Sequence, residues 1–291
     1  MYNHACRYVI VTPVRDEEES LPYTIASVVG QTIRPIEWVI VDDGSSDSTG
    51  TLIQQYARQY TWIRAVHRND RGFRQPGAGI IEAFYAGYQA LTCHDWDYLA
   101  KLDGDLSFEP DYFEKLLDRF TREPGLGIAG GTLYHFQNGV KTLERCPRFH
   151  VRGGAKVYRK ACWEAIGGLW SGYGSDTVDE VTANMQGWKS RSFSDLEMWH
   201  HRFTGAAYGR WGALVKDGRA DYVVGYHPVF LLAKCGVRLF RRPYLLGSLG
   251  LLYGYASSWR RRLPRVGDAA VIRYLRAQQL ARLYGRESIW H

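Results

Sequence analysis

Short apolar runs alternate with helix-like stretches over the first hundred residues. The apolar runs predict four strands, at Tyr8–Val14, Glu37–Val41, Ile63–Val66 and Tyr98–Leu102. The stretches between them predict three helices: one that follows Pro22 and contains Ile25, Val28 and Val29, then Leu52–Tyr60 and Ile80–Leu91. Strands that alternate with helices favour a parallel sheet covered on both faces. The predicted fold class is therefore α/β.

The pattern changes twice further along the chain. From about Gly127 the alternation weakens and glycine and aromatic residues become denser, which predicts a mixed α+β half over 127–220 that continues the sheet of 1–126. The region 221–291 is predicted to be helical. It holds an apolar, glycine-rich run, Pro243–Trp259, and a final amphipathic helix with Asp268 as its cap, Gly285 after its end, and Val271, Ile272, Leu275, Leu280 and Leu283 towards one side.

Charge is unevenly distributed between these regions. The chain carries +7 overall, but from Asp221 onward 12 Lys and Arg stand against 3 Asp and Glu. Such asymmetry indicates an anionic partner surface, either lipid or nucleic acid. The uncharged run Pro243–Trp259 is about 25 Å long as a helix, shorter than a bilayer core of about 30 Å, and arginines flank it on both sides. We therefore expect an in-plane helix on an anionic membrane rather than a span.

Cysteine usage and the N-terminal sequence indicate the compartment. The five cysteines are an odd number without paired spacing, and no C-x-x-C or Cys/His cluster suggests zinc. The N-terminus has no basic segment followed by an apolar core, as a secretory signal would. We expect a cytoplasmic protein, peripheral on the inner face of the cell membrane.

Polar clusters follow the predicted strands, where ligands bind in parallel α/β sheets. Asp103-Gly104-Asp105 follows the fourth strand, and both carboxylates face one ligand only if the chain turns at Gly104. Such a pair suits Mg²⁺ or Mn²⁺, which take oxygen ligands and keep substrate phosphates in their shell. Taken alone, Asp-Gly-Asp is more typical of a solvated turn. After the second strand, Asp42 or Asp43 could accept hydrogen bonds from a nucleobase or a ribose.

Three segments in a fixed order resemble one family. TPVRDEE, WVIVDDGSSDST and AKLDGDLSF, within Tyr8–His201, resemble the inverting family 2 glycosyltransferases of GT-A fold, of the bacterial surface-polysaccharide type. The resemblance implies a Rossmann-like nucleotide-sugar-binding half with a mostly parallel sheet over 1–126, continuous with an acceptor half over 127–220, within a GT-A domain of 1–220 followed by the helical tail.

The resemblance also implies roles for individual residues. Thr12, Pro13 and Arg15 would line the nucleobase pocket, and Asp42 would contact the base or ribose. Asp103 and Asp105 would be the D-x-D pair, with Asp105 the direct metal ligand and Asp103 nearer the ribose. Arg74 would lie near the diphosphate, although the spacing of its loop departs from the usual family pattern.

For the catalytic base and for the last metal ligand, the sequence offers more than one neighbouring residue. The family places a catalytic carboxylate about three turns ahead of a Gly–aromatic pair, here Gly187-Trp188. That spacing favours Asp176, whereas Asp179-Glu180 preserves the family's adjacent acidic pair. A late histidine often completes the metal shell in this fold, and His200 and His201 occupy that position. Alternation along a strand lets only one of the two face a pocket.

The predicted function is a metal-dependent, inverting transfer of a sugar from a nucleotide-diphosphate donor to a hydroxyl of a glycan or lipid-linked acceptor, in polysaccharide or glycolipid assembly. The predicted cofactor is Mn²⁺ or Mg²⁺. A sugar nucleotidylyltransferase would need a glycine-rich, arginine-containing loop after the first strand, where Thr12–Glu18 is acidic and lacks glycine. A dehydrogenase would need G-x-G-x-x-G after a strand. A nucleic-acid-binding protein using the basic, aromatic tail would leave the acidic clusters unexplained, so we expect no nucleic-acid partner.

Overall fold

One mixed sheet forms the centre of the molecule. A computed structural model of the chain describes residues 6–72, 77–137, 140–144, 146–201, 209–240 and 244–290. Its strands are β1 (Tyr8–Val14), β2 (Glu37–Asp42), β3 (Ile63–His67), β4 (Tyr98–Leu102), β5 (Leu106–Phe108), β6 (Leu126–Gln137), β7 (Val140–Leu143), β8 (Ala155–Arg159) and β9 (Lys189–His200). The strand order is β3-β2-β1-β4-β8-β6-β9-β5, and β7 pairs with β6.

Helices cover the sheet and extend beyond it at the C-terminal side. They are α1 (Leu21–Val29), α2 (Thr49–Gln59), α3 (Ala78–Gln89), α4 (Tyr112–Arg122), α5 (Lys160–Ile166), α6 (Ser175–Met185), α7 (Gly209–Val224), α8 (Pro228–Leu239), α9 (Leu246–Arg260) and α10 (Ala269–Leu283). The four strands and three helices predicted for the first hundred residues are confirmed, and each predicted strand ends within one residue of the observed position.

The first half of the sheet is parallel and packs helices on both faces. β1 pairs in parallel with β2 and β4, and β2 with β3. Alternate side chains of β1 enter two different core clusters, as a fully buried strand requires: Ile10 packs on one face and Val11 on the other. Gly87 of α3 permits a close approach, because a Cβ there would lie 2.6 Å from Val11 and from Val41. The predicted α/β class is therefore confirmed.

Beyond β4 the sheet becomes mixed. β8 runs antiparallel to β4, β6 antiparallel to β8, and β9 parallel to β6. The short β5 pairs antiparallel with β9, so that Leu106 lies opposite His200. This pairing returns the end of β9 to the turn that follows β4. The two halves therefore share one continuous sheet, as predicted.

The C-terminal helices form a small bundle beside α6. α7 and α9 approach until their backbones touch: a Cβ at Gly218 would lie 2.1 Å from the carbonyl oxygen of Leu251, and one at Gly254 would lie 2.2 Å from that of Val215. The glycine-rich run thus serves close helix packing. The predicted boundary at residue 220 falls within α7.

The last helix, α10, forms as predicted and packs against α6. Asp268 caps it by accepting a hydrogen bond from the backbone N–H of Ala270 at 2.7 Å. Val271 and Leu275 of the predicted apolar side are buried, whereas Leu283 is exposed and the polar Gln279 is wholly buried. Within the described residues, none of the helices is both long and apolar enough to cross a membrane.

Candidate functional site

The Asp103-Gly104-Asp105 turn lies where β4 ends, beside the loop that leads into β8. The carboxylate of Asp103 accepts a hydrogen bond from the buried Lys101 Nζ at 2.8 Å, and its backbone N–H donates to the Gly154 carbonyl at 2.7 Å. Burial raises the pKa of Asp103, and the neighbouring charge of Asp105 adds to this against the opposing effect of Lys101. An additional cation would therefore be favourable at this turn.

Asp105 points the other way, towards the end of β9. Its Oδ2 lies 3.1 Å from His200 Nε2, and the opposite ring nitrogen, Nδ1, lies 3.2 Å from Glu144 Oε1. Burial lowers the pKa of His200, but the two carboxylates outweigh this and raise it to about 10. Asp105, His200 and Glu144 therefore form one hydrogen-bonded chain at the sheet edge.

His201 faces away from this chain. Its Nε2 lies 2.8 Å from Ser107 Oγ, and its ring stacks on Tyr23 with centroids 4.6 Å apart. The two adjacent histidines thus have different partners, and His200 is the one beside Asp105.

The donor set at this edge fits a small hard cation in its chemistry. Carboxylate oxygens and an imidazole nitrogen are ligands that Mn²⁺ accepts, and Asp105 Oδ2 and His200 Nε2 lie within 3.1 Å of each other. Within the described ranges, however, no group of three or more His, Cys, Asp and Glu side chains is arranged to hold an ion. A shell built on Asp105 and His200 would have to draw its remaining ligands from substrate phosphate, water or a shift of Asp103.

The acidic residues that follow β2 are held by basic side chains. Asp42 Oδ1 accepts from the Ser45 backbone N–H at 2.9 Å, and Oδ2 lies 3.1 Å from His67 Nδ1. Asp43 forms ion pairs with Arg68, at 2.5 Å, and with Arg71. Each carboxylate also keeps a small exposed fraction, 10% for Asp42 and 12% for Asp43. This edge can therefore accept further N–H or O–H donors.

The residues predicted at the end of β1 lie around the same edge but differ in what they present. Thr12 is wholly buried, and its Oγ1 accepts a hydrogen bond from Trp38 Nε1 at 2.9 Å. Pro13 lies within the strand opposite Val41. Arg15 is half-buried and donates to the Asp43 carbonyl at 3.3 Å and to Asp70 Oδ1 at 2.7 Å. The predicted Arg74 lies outside the described residues.

Asp176, in the first turn of α6, presents a carboxylate that is exposed and unshared. It accepts no hydrogen bond from the part of the chain that the structure describes. It lies directly over Gly153, where a Cβ would be 2.2 Å from its Oδ1. Although the Asp176 side chain is exposed, the surrounding protein atoms partly desolvate its carboxylate, which would raise the pKa of Asp176. The positive charges of Lys156 and Lys101 outweigh this and lower the pKa. The carboxylate is therefore ionised at neutral pH and available to accept a proton.

Asp179 and Glu180, one turn further along α6, lie in the interior. Asp179 is 2% exposed and accepts hydrogen bonds from Lys156 Nζ at 3.0 Å and from Tyr158 OH at 2.6 Å. Burial raises its pKa. Glu180 is wholly buried between His150, Lys156 and the Val151 backbone N–H. Neither carboxylate reaches the open side of the cleft.

The sequence analysis missed several residues that complete the cleft. Lys101 lies within a predicted strand without a motif of its own, and Lys156 and Glu144 lie in segments with no recognisable motif. Arg68 lies just after the end of a predicted strand, and this position is the one feature of the sequence that could have identified it as a site residue. Gly153-Gly154 was noticed only as a change of composition. Yet Gly153 contacts Asp176 and Gly154 contacts Asp103, so this pair joins the two sides of the cleft.

Residues 9–166, more than half of the chain, match the family model described as Glycosyl transferase family 2. Among curated relatives, the polyprenol monophosphomannose synthase of Mycolicibacterium smegmatis is 28% identical over 177 residues, which cover 55% of this chain and 64% of that protein. The glucosyl-dolichyl phosphate glucuronosyltransferase of Haloferax volcanii is 30% identical over 125 residues, which cover 43% of this chain and 37% of that protein. The chain thus spans less than two thirds of the length of either relative.

Solved structures share the fold at low sequence identity. The mannosyltransferase PcManGT from Pyrobaculum calidifontis, in complex with GDP-Man and Mn²⁺, aligns over 98% of this chain and 77% of its own with a TM-score of 0.57 and 14% identity. GalNAc-T7, solved with UDP, GalNAc and Mn²⁺, aligns over 97% of this chain and 58% of its own with a TM-score of 0.61 and 13% identity. These alignments confirm the predicted GT-A fold.

Proposed function

The chain belongs to glycosyl transferase family 2, and on that premise we propose that it transfers a sugar, with inversion, from a nucleoside-diphosphate donor to an acceptor hydroxyl group. One observation carries this proposal: over the glycine pair Gly153-Gly154, the unshared carboxylate of Asp176 lies beside the Asp103 turn. A base and a leaving-group site on two sides of one cleft are what a single in-line displacement needs.

The donor nucleotide is assigned to the ends of β1 and β2. Asp42 and Asp43 would accept hydrogen bonds from the base or the ribose, and Arg15 lies beside both the Asp43 carbonyl and Asp70. Asp103 would serve the ribose side, because Lys101 already neutralises one of its oxygens. Arg68 and Arg71 hold Asp43 in place.

A divalent cation is part of the proposal, with Mn²⁺ or Mg²⁺ held by Asp105 and His200. When bound, it would neutralise the charge that develops on the departing diphosphate. A ligating imidazole must be neutral, so His200 would release its proton on metal binding. The Mn²⁺ complexes of two proteins of the same fold support this assignment.

Asp176 is the proposed general base. Its carboxylate would accept the proton of the acceptor hydroxyl as that oxygen attacks the anomeric carbon from the side opposite the diphosphate. Asp179 is not assigned the proton transfer, because its oxygens already accept hydrogen bonds from Lys156 and Tyr158.

A donor screen tests the proposal. Purified protein would be incubated with a panel of nucleotide sugars, and nucleoside diphosphate release and thermal shift would be measured with and without Mn²⁺. We expect one donor to give metal-dependent hydrolysis and a metal-dependent rise in the midpoint of unfolding. If no donor gave either effect, the proposed activity would be wrong.

The acceptor is proposed to be a glycan or a lipid-linked hydroxyl compound, in polysaccharide or glycolipid assembly at the inner face of the cell membrane. Two of the relatives, a polyprenol monophosphomannose synthase and a glucosyl-dolichyl phosphate glucuronosyltransferase, are named for lipid-linked compounds. In this chain, the outer sides of α8 and α9 carry large apolar side chains that are each more than half exposed: Val229, Leu232, Val237, Leu246, Leu249, Tyr253 and Trp259. Such side chains suit the boundary between headgroups and acyl chains.

Charge complements this α8–α9 apolar face. Arg260, Arg261 and Arg262 are exposed at the end of α9 and form no ion pair within the described chain. Each basic residue near an anionic surface contributes about 1 kcal/mol. The proposed partner of this face is therefore an anionic bilayer, on which the two helices lie in the plane of the membrane.

Vesicle flotation tests the membrane assignment. The chain should float with phosphatidylglycerol vesicles at low salt, and less with phosphatidylcholine vesicles or at high salt. Leu249→Asp should reduce flotation, whereas Val140→Asp, at an equally exposed apolar position on β7, should not. Equal flotation of the two variants would rule out the α8–α9 apolar face as the docking surface.

A further inference from the structure

Two lysine side chains are buried beneath the cleft, where the proposed mechanism gives them no step. Lys101 of β4 is 4% exposed and Lys156 of β8 is 1% exposed. They are direct partners in the antiparallel pairing of β4 with β8, so their side chains emerge on the same face of the sheet.

Lys156 holds the first turn of α6. Its Nζ donates to the backbone carbonyl of Asp176 at 2.6 Å and pairs with Asp179 at 3.0 Å and Glu180 at 2.8 Å. The backbone position of Asp176 is thereby tied to β8, the strand next to the one that ends in the Asp103 turn.

Lys101 holds the surface on which the Asp176 carboxylate rests. Its Nζ donates to the Gly153 carbonyl at 2.6 Å and to Asp103 at 2.8 Å. Because the Asp176 carboxylate lies against Gly153, the two lysines fix it from two directions. Neither lysine donates a hydrogen bond to that carboxylate, so its oxygens stay free for a substrate.

We infer that Lys156, with Lys101 as its partner across the strands, is a positioning residue that holds Asp176 in register with the Asp103 turn. Stability alone does not explain this arrangement, because the free-energy cost of desolvating a lysine commonly offsets the free energy gained from its ion pair. Both ammonium groups donate to a backbone carbonyl that borders the cleft. Those two contacts are what a positioning role requires. The inference rests on the proposed function, in which Asp176 is the base.

The experiment compares a double variant with a single variant. Lys156→Met alone would leave the buried carboxylates of Asp179 and Glu180 without their cation, which is expected to destabilise the fold. The double variant Lys156→Met/Asp179→Asn is therefore compared with Asp179→Asn. Any contribution of Asp179 itself is then the same in both variants. Hydrolysis of the nucleotide sugar chosen from the donor screen is followed with Mn²⁺, by release of nucleoside diphosphate. We expect the double variant to lose a further 10- to 100-fold in kcat, since a shift of about 1 Å in a reacting group costs about that much. The donor KM should stay within about threefold, because the donor residues lie on other strands.

The chain offers a matched control in its other buried lysine–aspartate pair. Lys234 of α8 pairs with the buried Asp221 of α7 at 2.8 Å, and its Nζ donates no hydrogen bond to described residues of β4, β8 or α6. Lys234→Met/Asp221→Asn should lower the midpoint of unfolding and leave kcat equal to that of Asp221→Asn. Equal kcat for Lys156→Met/Asp179→Asn and Asp179→Asn would overturn the inference while leaving the proposed function intact. A parallel kcat loss in the control pair would overturn it too. A wild-type chain without turnover would overturn the proposed function itself and the inference with it.

Discussion

Replacing Gly153 with alanine tests the geometry of the proposed base most directly. The backbone of Gly153 lies outside the left-handed region, so alanine is compatible with its conformation. Its Cβ, however, would lie 2.2 Å from Oδ1, 2.4 Å from Cγ and 2.4 Å from Oδ2 of Asp176. Non-bonded carbon and oxygen atoms rarely come closer than about 3.4 Å, so the carboxylate must retreat by about 1 Å.

The expected effect on catalysis follows from that displacement. A misplacement of about 1 Å costs about 10²-fold in rate, which corresponds to about 2.7 kcal/mol of activation free energy. We therefore expect Gly153→Ala to lower kcat by about 10²-fold with a small change in donor KM, because the side chains assigned to the nucleotide do not move. Steady-state release of nucleoside diphosphate from the selected donor measures both constants.

Two comparisons separate this effect from general damage. Gly236→Ala in α8 adds a Cβ that meets nothing within 4 Å, so it should leave kcat unchanged. In an Asp176→Asn background, Gly153→Ala should cost little more, because the two substitutions act on the same group and their effects do not add. Unchanged kcat in Gly153→Ala, or a full 10²-fold loss on top of Asp176→Asn, would refute the proposed contact.

Three further predictions concern the proposed metal ligand, the proposed base and a buried carboxylate at the start of β2. Asp105→Ala should remove nearly all turnover and leave the fold intact, as judged by circular dichroism; full activity of this variant in excess EDTA would refute the metal assignment. Asp176→Asn should lose about 10²–10⁴-fold in kcat with unchanged donor affinity, whereas Asp179→Asn should act mainly on the midpoint of unfolding, and the reverse pattern would exchange their roles. Burial would raise the pKa of Glu37, but hydrogen bonds from Cys93, Thr92 and Arg64 lower it. The ionised Glu37 therefore stabilises the folded protein above the unfolded-state pKa, and this stabilisation is lost as pH falls through the folded-state pKa. Urea unfolding at pH 7 and pH 3 should show that Glu37→Gln costs about 2 kcal/mol at the higher pH and much less at the lower.

Local pattern was sufficient for the first half of the fold. In β1, β2 and β4 most side chains are apolar, because a strand in the parallel part of the sheet is buried on both faces. Such a strand can be recognised without knowing its neighbours. The same logic located the Asp42 and Asp103 clusters, since the carboxyl ends of parallel strands meet at one edge. Alternation along β9 showed that only one of two adjacent histidines could face the site.

Tertiary structure decided between neighbours that local pattern could not separate. Asp176 and Asp179 are three residues apart in a helix, so their spacing leaves both as candidates for the base. In the structure, Lys156 of β8 donates a hydrogen bond to Asp179 and none to the Asp176 carboxylate. His200 was selected by the pairing that sets it opposite Leu106. The pairing of Lys101 with Lys156 joins residues far apart in the chain. Strand register and helix docking arise from packing over the whole core, so no local run of residues encodes them.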